Sequence, residues 1–236
     1  MREDLRLEGE GHDPVSAIVL EPESPRAFMV LAHGAGAPMT HPFMERLAND
    51  LSDHGVSTLR FNFAYMEAGR RRPDRPPRLL AVVGTALEAG CARARSLPLF
   101  AGGKSMGGRM TSTFLSGHGV VRRSDHDTLT QSIRGVVFYG FPLHRPGVPS
   151  QDRGVHLADV QQPMIFLQGT RDTLADLDHL RPVTDGLGPR ATLHVVEGAD
   201  HGFHVLKRSG RTPEDVREEI AATTWRWMAQ VLGEGR

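Results

Sequence analysis

Residues 102–108, Gly102-Gly103-Lys104-Ser105-Met106-Gly107-Gly108, follow the apolar run Leu97-Pro98-Leu99-Phe100-Ala101. This is a G-x-S-x-G pattern set where a buried strand must turn sharply into a helix. Glycines on both sides of Ser105 let the backbone take a strained turn and keep side chains off the hydroxyl. Ser105 therefore reads as a nucleophile. Gly103-Lys104-Ser105 also ends like a phosphate-binding loop, but the first glycine of G-x-x-x-x-G-K-[ST] would fall at Pro98. The stretch that would cradle phosphates is an apolar strand, and nucleotide binding is set aside.

Outward from this turn, short apolar runs alternate with helical patterns. Ala27 to Leu31, Ser57 to Phe63, Leu97 to Ala101, Gly135 to Phe141, Met164 to Leu167 and Ala191 to Val196 read as strands covered on both faces. Val15 to Leu20 reads as an earlier antiparallel strand paired with Leu5 to Glu10. Helices are expected over residues 42–54, 78–95, 106–115, 175–187 and 212–232. The last opens on Thr212-Pro213-Glu214-Asp215, a capping signal with proline at the first helical position and acids in the first turn. Strands alternating with helices predict an α/β fold with a mostly parallel sheet. Gly117 to Gln131 reads as a polar loop and Leu143 to Arg153 as irregular. Neither is long enough for a cap domain, so one domain over residues 1–236 is expected.

In such a sheet ligands bind outside the C-terminal strand ends. A serine hydroxyl needs a base within reach, and a third group to hold that base in the right tautomer. The strand at 164–167 leads into Gln168-Gly169-Thr170-Arg171-Asp172, and the next into Glu197-Gly198-Ala199-Asp200-His201-Gly202-Phe203-His204. Ser105, Asp172 and His201 are thus each expected just past a strand end. Asp172 has a bland alternative as a helix cap, while Asp176 and Asp178 sit deeper in the helical pattern. His204 competes with His201, but the tight Gly198–Gly202 turn favours His201, and Asp200 reads as a loop carboxylate. His201-x-x-His204 finds no third ligand of matching placement, so no metal is expected. An oxyanion needs two backbone N–H donors. Met106, next to the nucleophile, supplies one, and Ala35 in His33-Gly34-Ala35-Gly36 is assigned the other.

Together these residues resemble the α/β-hydrolase superfamily, whose triad runs Ser, acid, His along the chain. The closer likeness is to a compact bacterial branch, the KANSL/TEX-like hydrolases, related in compactness to dienelactone hydrolases. It rests on His33-Gly34-Ala35-Gly36-Ala37-Pro38-Met39, Arg60-Phe61-Asn62-Phe63, Gly69 to Pro77 and Gly102 to Arg109. The resemblance implies the α/β-hydrolase fold with an eight-stranded sheet and helices on both faces, the triad named above, and no cofactor. The chain departs from the pattern in the polar segment 117–131 and in Lys104 before the nucleophile.

Gly69 to Arg78 holds five arginines against Asp74 alone. It follows a strand and is expected on the active-site side. One reading is a solvated, proline-stiffened loop. Another is recognition of a carboxylate or phosphate by guanidinium forks, with Arg71 and Arg72 selecting acidic esters. His33 and Lys104 are further candidate substrate contacts. Over the whole chain of 236 residues, 28 Lys and Arg balance 28 Asp and Glu, which argues against a nucleic-acid partner. The charged start Met1-Arg2-Glu3-Asp4-Leu5-Arg6 is unlike a secretory signal, and no apolar run approaches a membrane span, so a cytoplasmic chain is expected. Cys91, the lone cysteine, is expected to be a buried, inert thiol. The function these residues predict is a serine hydrolase cleaving a small ester, or a thioester, amide or lactone. The alternative is a non-catalytic interaction protein of the same fold that uses the Arg70–Arg78 loop. An acyltransferase on the same nucleophile would read identically.

Overall fold

A computed structural model describes residues 1–119, 126–145 and 147–234. The elements run β1 (Arg2–Leu7), β2 (Val15–Leu20), β3 (Ala27–Ala32), α1 (Pro42–Asp53), β4 (Val56–Phe61), α2 (Ala64–Glu67), α3 (Pro76–Ala94), β5 (Leu99–Lys104), α4 (Met106–Leu115), α5 (His126–Ser132), β6 (Ile133–Tyr139), β7 (Met164–Gly169), α6 (Leu177–Gly186), β8 (Ala191–Val196) and α7 (Pro213–Leu232). They build one eight-stranded sheet in the order β1-β2-β4-β3-β5-β6-β7-β8. β2 runs antiparallel to both its neighbours, and all the other pairings are parallel. This is the α/β-hydrolase arrangement.

The alternation of β3 shows why its residues are almost uniformly apolar. Phe28, Val30 and Ala32 enter the core beneath α3 and α4. Ala27, Met29 and Leu31 enter the opposite core, with Met44, Leu47 and Leu51 of α1 and Val216, Ile220 and Trp227 of α7. Successive side chains point to opposite faces, so a strand sandwiched between helices must be apolar at every position. α7 starts where the sequence put it. The Thr212 side chain accepts from the Asp215 N–H while the Asp215 carboxylate accepts from the Thr212 N–H, a complete capping box.

Three expectations need correction. The N-terminal strand is Arg2–Leu7, not Leu5–Glu10, with Leu5 opposite Ala17. It is an exposed edge strand whose charged residues gave no apolar signal. Within the segment read as a polar loop, residues 120–125 lie outside the described residues, but His126–Ser132 is helix α5. It is held by Leu129 in the core and by a His126 ring stacked at a tilt on Phe114, 4.9 Å between centroids. Cys91 is exposed, because α3 turns Leu80, Val83, Leu87 and Ala94 inward and leaves position 91 on its outer side. Between β6 and β7 the described chain forms only a short 3₁₀ helix at Asp152–Asp159, so no cap covers the strand ends there. No helix among the described residues is long and apolar enough to cross a membrane.

Candidate active site

β5 carries the motif further than its apolar run suggested: Gly102, Gly103 and Lys104 are still strand. Glycine is a poor strand former, and the packing explains its use here. A Cβ on Gly103 would sit 2.3 Å from the carbonyl oxygen of Ala32 on neighbouring β3, and one on Gly107 would sit 2.5 Å from the carbonyl oxygens of both Ala32 and His33. The missing side chains let the start of α4 close onto the end of β3. Between the two glycines Ser105 adopts φ +52°, ψ −119°, a left-handed conformation that a non-glycine residue takes only when its surroundings hold it there.

Three elements bring Ser105, His201 and Asp172 together. Ser105 Oγ lies 2.8 Å from His201 Nε2, and His201 Nδ1 lies 2.7 Å from Asp172 Oδ2. The carboxylate accepts a hydrogen bond from Nδ1–H, which leaves Nε2 as acceptor for the serine O–H. The Asp172 side chain is fully buried, and that of His201 is 23% exposed. Asp172 is not a helix cap: Asp176 caps α6, accepting from the His179 N–H at 3.0 Å. Instead Asp172 Oδ1 accepts from the Leu174 N–H at 2.8 Å, and Oδ2 accepts from the Gln168 side chain. Gln168 is itself fixed, since its Oε1 accepts from the Phe141 N–H at 2.9 Å. The sequence reading missed Gln168; its sole signal was an amide at a fully buried strand position. His204 is largely exposed at the cavity rim, and its ring pairs with Asp200 at 3.5 Å rather than with Ser105. Asp200 is the loop carboxylate expected, with Oδ1 accepting from the N–H groups of Gly202 and His204 at 2.8 and 2.9 Å.

The turn after β3 faces this triad. Ala35 lines the cavity beside Ser105, and its N–H takes part in none of the turn's hydrogen bonds among the described residues. Met106 is the first residue of α4, so its N–H has no acceptor within the helix ladder. The turn is braced from below. Tyr65 Oη donates to the Ala35 carbonyl at 2.8 Å, while Arg60 and Asn62 hold the carbonyl and N–H of Met39, both at 3.0 Å.

His33 does not line the cavity. It is completely buried, with Nδ1 donating to the Gly34 carbonyl at 2.7 Å and Nε2 accepting from the Phe63 N–H at 3.0 Å. Burial pulls its pKa down to about 4, only partly opposed by the Gly34 hydrogen bond, so the ring is a neutral strut between two strand ends. Lys104 reaches the cavity wall, yet its amino group is already committed to the carbonyl of His201.

Arg71 and Arg72 are exposed and stand outside the cavity wall. The loop they belong to runs from α2 to the start of α3, where Asp74 pairs with Arg70 at 2.7 Å and with Arg78 at 3.6 Å. The cavity, about 460 Å³, takes its arginines from the opposite helical layer, Arg46 of α1 and Arg217 of α7. Arg217 is bound to Asp50 and Glu214 at 3.0 and 3.1 Å, whereas the exposed Arg46 makes no direct hydrogen bond among the described residues and only its charge reaches Glu214. Phe43, Met44, Leu174 and Phe203 make the wall apolar, and no described carboxylate lines it.

A second serine–histidine contact, Ser112 Oγ to His156 Nε2 at 2.8 Å, differs in kind. Ser112 is fully buried inside α4, away from the cavity, and no described carboxylate hydrogen-bonds the His156 ring. Burial pulls His156 down to about 4, helped by the charge of Arg109, so this is a packing contact.

The model of a family described as the α/β hydrolase domain matches residues 25–229. The chain belongs to that family. This α/β hydrolase domain is also similar in fold to several solved structures. A dienelactone hydrolase from Anabaena variabilis shares 16% identity over 98% of this chain and 97% of its own, with a TM-score of 0.73. An α/β serine hydrolase homologue from Coxiella burnetii shares 18% over 94% and 96%, with a TM-score of 0.71. An α/β serine hydrolase without lid from Xanthomonas campestris shares 19% over 96% and 94%, with a TM-score of 0.70.

Proposed function

We propose that this α/β hydrolase domain is a serine hydrolase that cleaves small carboxylic esters through an acyl-enzyme on Ser105. The observation that carries the reading is the unbroken hydrogen-bond chain from Ser105 through His201 to Asp172, 2.8 and 2.7 Å long, at the wall of an apolar cavity. In the reaction, Ser105 Oγ attacks the carbonyl carbon as its proton passes to His201 Nε2. The negative charge gathers on the former carbonyl oxygen, where the N–H groups of Ala35 and Met106 receive it. Each such donor is worth roughly 2.7–4 kcal/mol at the transition state. The ester C–O bond then breaks, and His201 returns its proton to the leaving alkoxide. Water repeats the sequence on the acyl-enzyme and releases the acid. No step asks for a metal or cofactor.

The cavity supports a finer reading of the substrate. Its apolar wall suits a short hydrocarbon acyl or alcohol group, and Arg46 on the same wall suits a carboxylate carried by that group. Selection of acidic esters thereby passes from Arg71 and Arg72 to Arg46.

A fluorophosphonate probe tests the central claim, because it reacts only with an activated serine. The native chain is expected to label and to hydrolyse a short-chain ester, and Ser105→Ala to do neither while keeping its fold. Labelling that survives in Ser105→Ala would move the reaction to another serine. No labelling of the folded native chain would favour the non-catalytic reading.

A further inference from the structure

The Lys104 side chain leaves the end of β5, one residue before the nucleophile, and runs across the sheet toward β8. Its Nζ donates to the main-chain carbonyl of His201 at 2.5 Å, with the Phe203 ring centroid 5.4 Å away. The strands β6 and β7 lie between, so the side chain must pass over their ends. The way is open because residue 140, just past β6, is a glycine at φ +69°. A Cβ there would come within 3.1 Å of Lys104 Nζ, 3.3 Å of His201 Nδ1 and 3.4 Å of Asp172 Oδ2. Ammonium, imidazole and carboxylate converge on this one gap.

The loop that carries His201 follows the edge strand β8. Its base is held from outside, with the Arg171 N–H donating to the Ala199 carbonyl at 2.9 Å and the Gly198 N–H to Thr170 Oγ1 at 2.8 Å. Its tip closes on itself, with the N–H groups of Gly202 and His204 donating to Asp200 Oδ1 and the Phe203 N–H to the Asp200 carbonyl. At His201 itself the fixed partners behind the ring are Asp172, on the side chain, and Lys104, on the main chain. The Asp172 bond holds the ring at Nδ1, and the Lys104 bond holds the backbone that carries the ring. A second hold on the backbone fixes where Nε2 points.

We propose that Lys104 is a positioning residue, whose ammonium anchors the His201 main chain and thereby aligns Nε2 with the Ser105 hydroxyl. The proposal rests on the Ser105 hydrolase reading. The charged and titratable groups facing the ammonium are Asp172 from the end of β7, and Asp200 and His201 from the loop after β8. Burial lowers the Lys104 pKa to about 8, against the raising effect of Asp172 and then Asp200. Below that pH the amine is charged and the tether is at full strength. As pH rises through it, the charge is lost and the hydrogen bond weakens.

The test compares the native chain with Lys104→Met, which keeps length but removes the donor, and Lys104→Arg, which keeps donor and charge. The readouts are hydrolysis of a neutral short-chain p-nitrophenyl ester from pH 6 to 10, fluorophosphonate labelling rate, and Tm. Misalignment by about 1 Å costs on the order of 100-fold. Lys104→Met is therefore expected to lose about 10- to 100-fold in kcat and in labelling rate, with KM within about twofold. The native kcat is expected to fall as pH passes about 8. That limb should vanish in Lys104→Met and move beyond the measured range in Lys104→Arg, which recovers part of the rate. Lys104→Met with native kcat and an unchanged profile overturns the proposal. If Lys104→Met fails to fold, the native profile and the Arg variant decide, and a native rate flat through pH 10 overturns it equally. A native chain that neither hydrolyses nor labels fails the underlying reading instead.

Discussion

At the scale of single residues, the candidate site divides into groups that meet the substrate under the proposed function and groups that hold those in place. Glycine-flanked Ser105, and the carboxylate and imidazole past later strand ends, were readable because their chemistry requires those residue types in that order. Gln168 and Tyr65 were not readable, because a residue that acts by bracing a backbone carbonyl or a carboxylate carries no motif of its own, and Arg60 stood in a family motif that gave it no role. Arg46, to which the proposed function gives the substrate carboxylate, was not singled out in the sequence, since a lone exposed arginine on an amphipathic helix carries no motif. The arginine-rich loop drew attention by its density, but Asp74 holds two of its members and none of its arginines lines the cavity. This distinction can be measured. Arg46→Ala is expected to lower kcat/KM for a hemisuccinate ester about three- to fivefold while changing a neutral butanoate ester less than about 1.5-fold, consistent with loss of one exposed charge pairing. Arg71→Ala with Arg72→Ala is expected to leave the ratio of the two substrates unchanged. Equal losses on both esters in Arg46→Ala would remove the acidic-ester preference.

At the scale of elements, the decisive contact is that of α4 with β3. Periodicity revealed both elements, and the G-x-S-x-G pattern revealed the turn between them. What it could not reveal was the reason for the second glycine, because the atoms it avoids belong to a strand more than seventy residues earlier. The carbonyl oxygens of Ala32 and His33 stand 2.5 Å from where a Gly107 Cβ would be, and backbone atoms cannot rotate aside as a side chain can. Gly107→Ala must therefore push α4 off β3. The cost is expected to be roughly 1–3 kcal/mol in urea unfolding, typical of overpacking. Because the same shift separates the Met106 N–H from the Ala35 turn, probe labelling should fall much further than stability does. A variant that labels at the native rate would show that the elbow tolerates a wider seat. The edge strand β1 illustrates the opposite limit of legibility: its pairing with β2 is set by neighbours in space, while its own residues are charged and exposed.

At the scale of the whole molecule, the two cores on either side of the sheet enclose polar groups that are stable only when uncharged, and this sets how the fold responds to acid. His33 ties the turn after β3 to the chain after β4, and His156 packs the 3₁₀ helix against α4. Burial lowers both to about 4. In the unfolded chain the same imidazoles take up protons near pH 6.5. Between about pH 6.5 and 4 the unfolded state therefore binds more protons than the folded one, and stability falls as pH falls, by at most roughly 1.4 kcal/mol per pH unit for each ring. Glu67 acts lower on the scale. Burial raises it, but hydrogen bonds from Asn62, Ser16 and Arg6 outweigh that and lower it to about 2. Its contribution is complete above the unfolded carboxylate range and is lost as pH falls toward 2. Urea midpoints measured from pH 7 to 4 should accordingly decline well before the carboxylates titrate. His156→Gln, which keeps a hydrogen-bonding side chain but cannot charge, should make the decline between pH 6.5 and 4 about half as steep. A native midpoint constant down to pH 4.5 would mean that these rings accept protons without disturbing the packing, and that the struts beneath the site are looser than their burial implies.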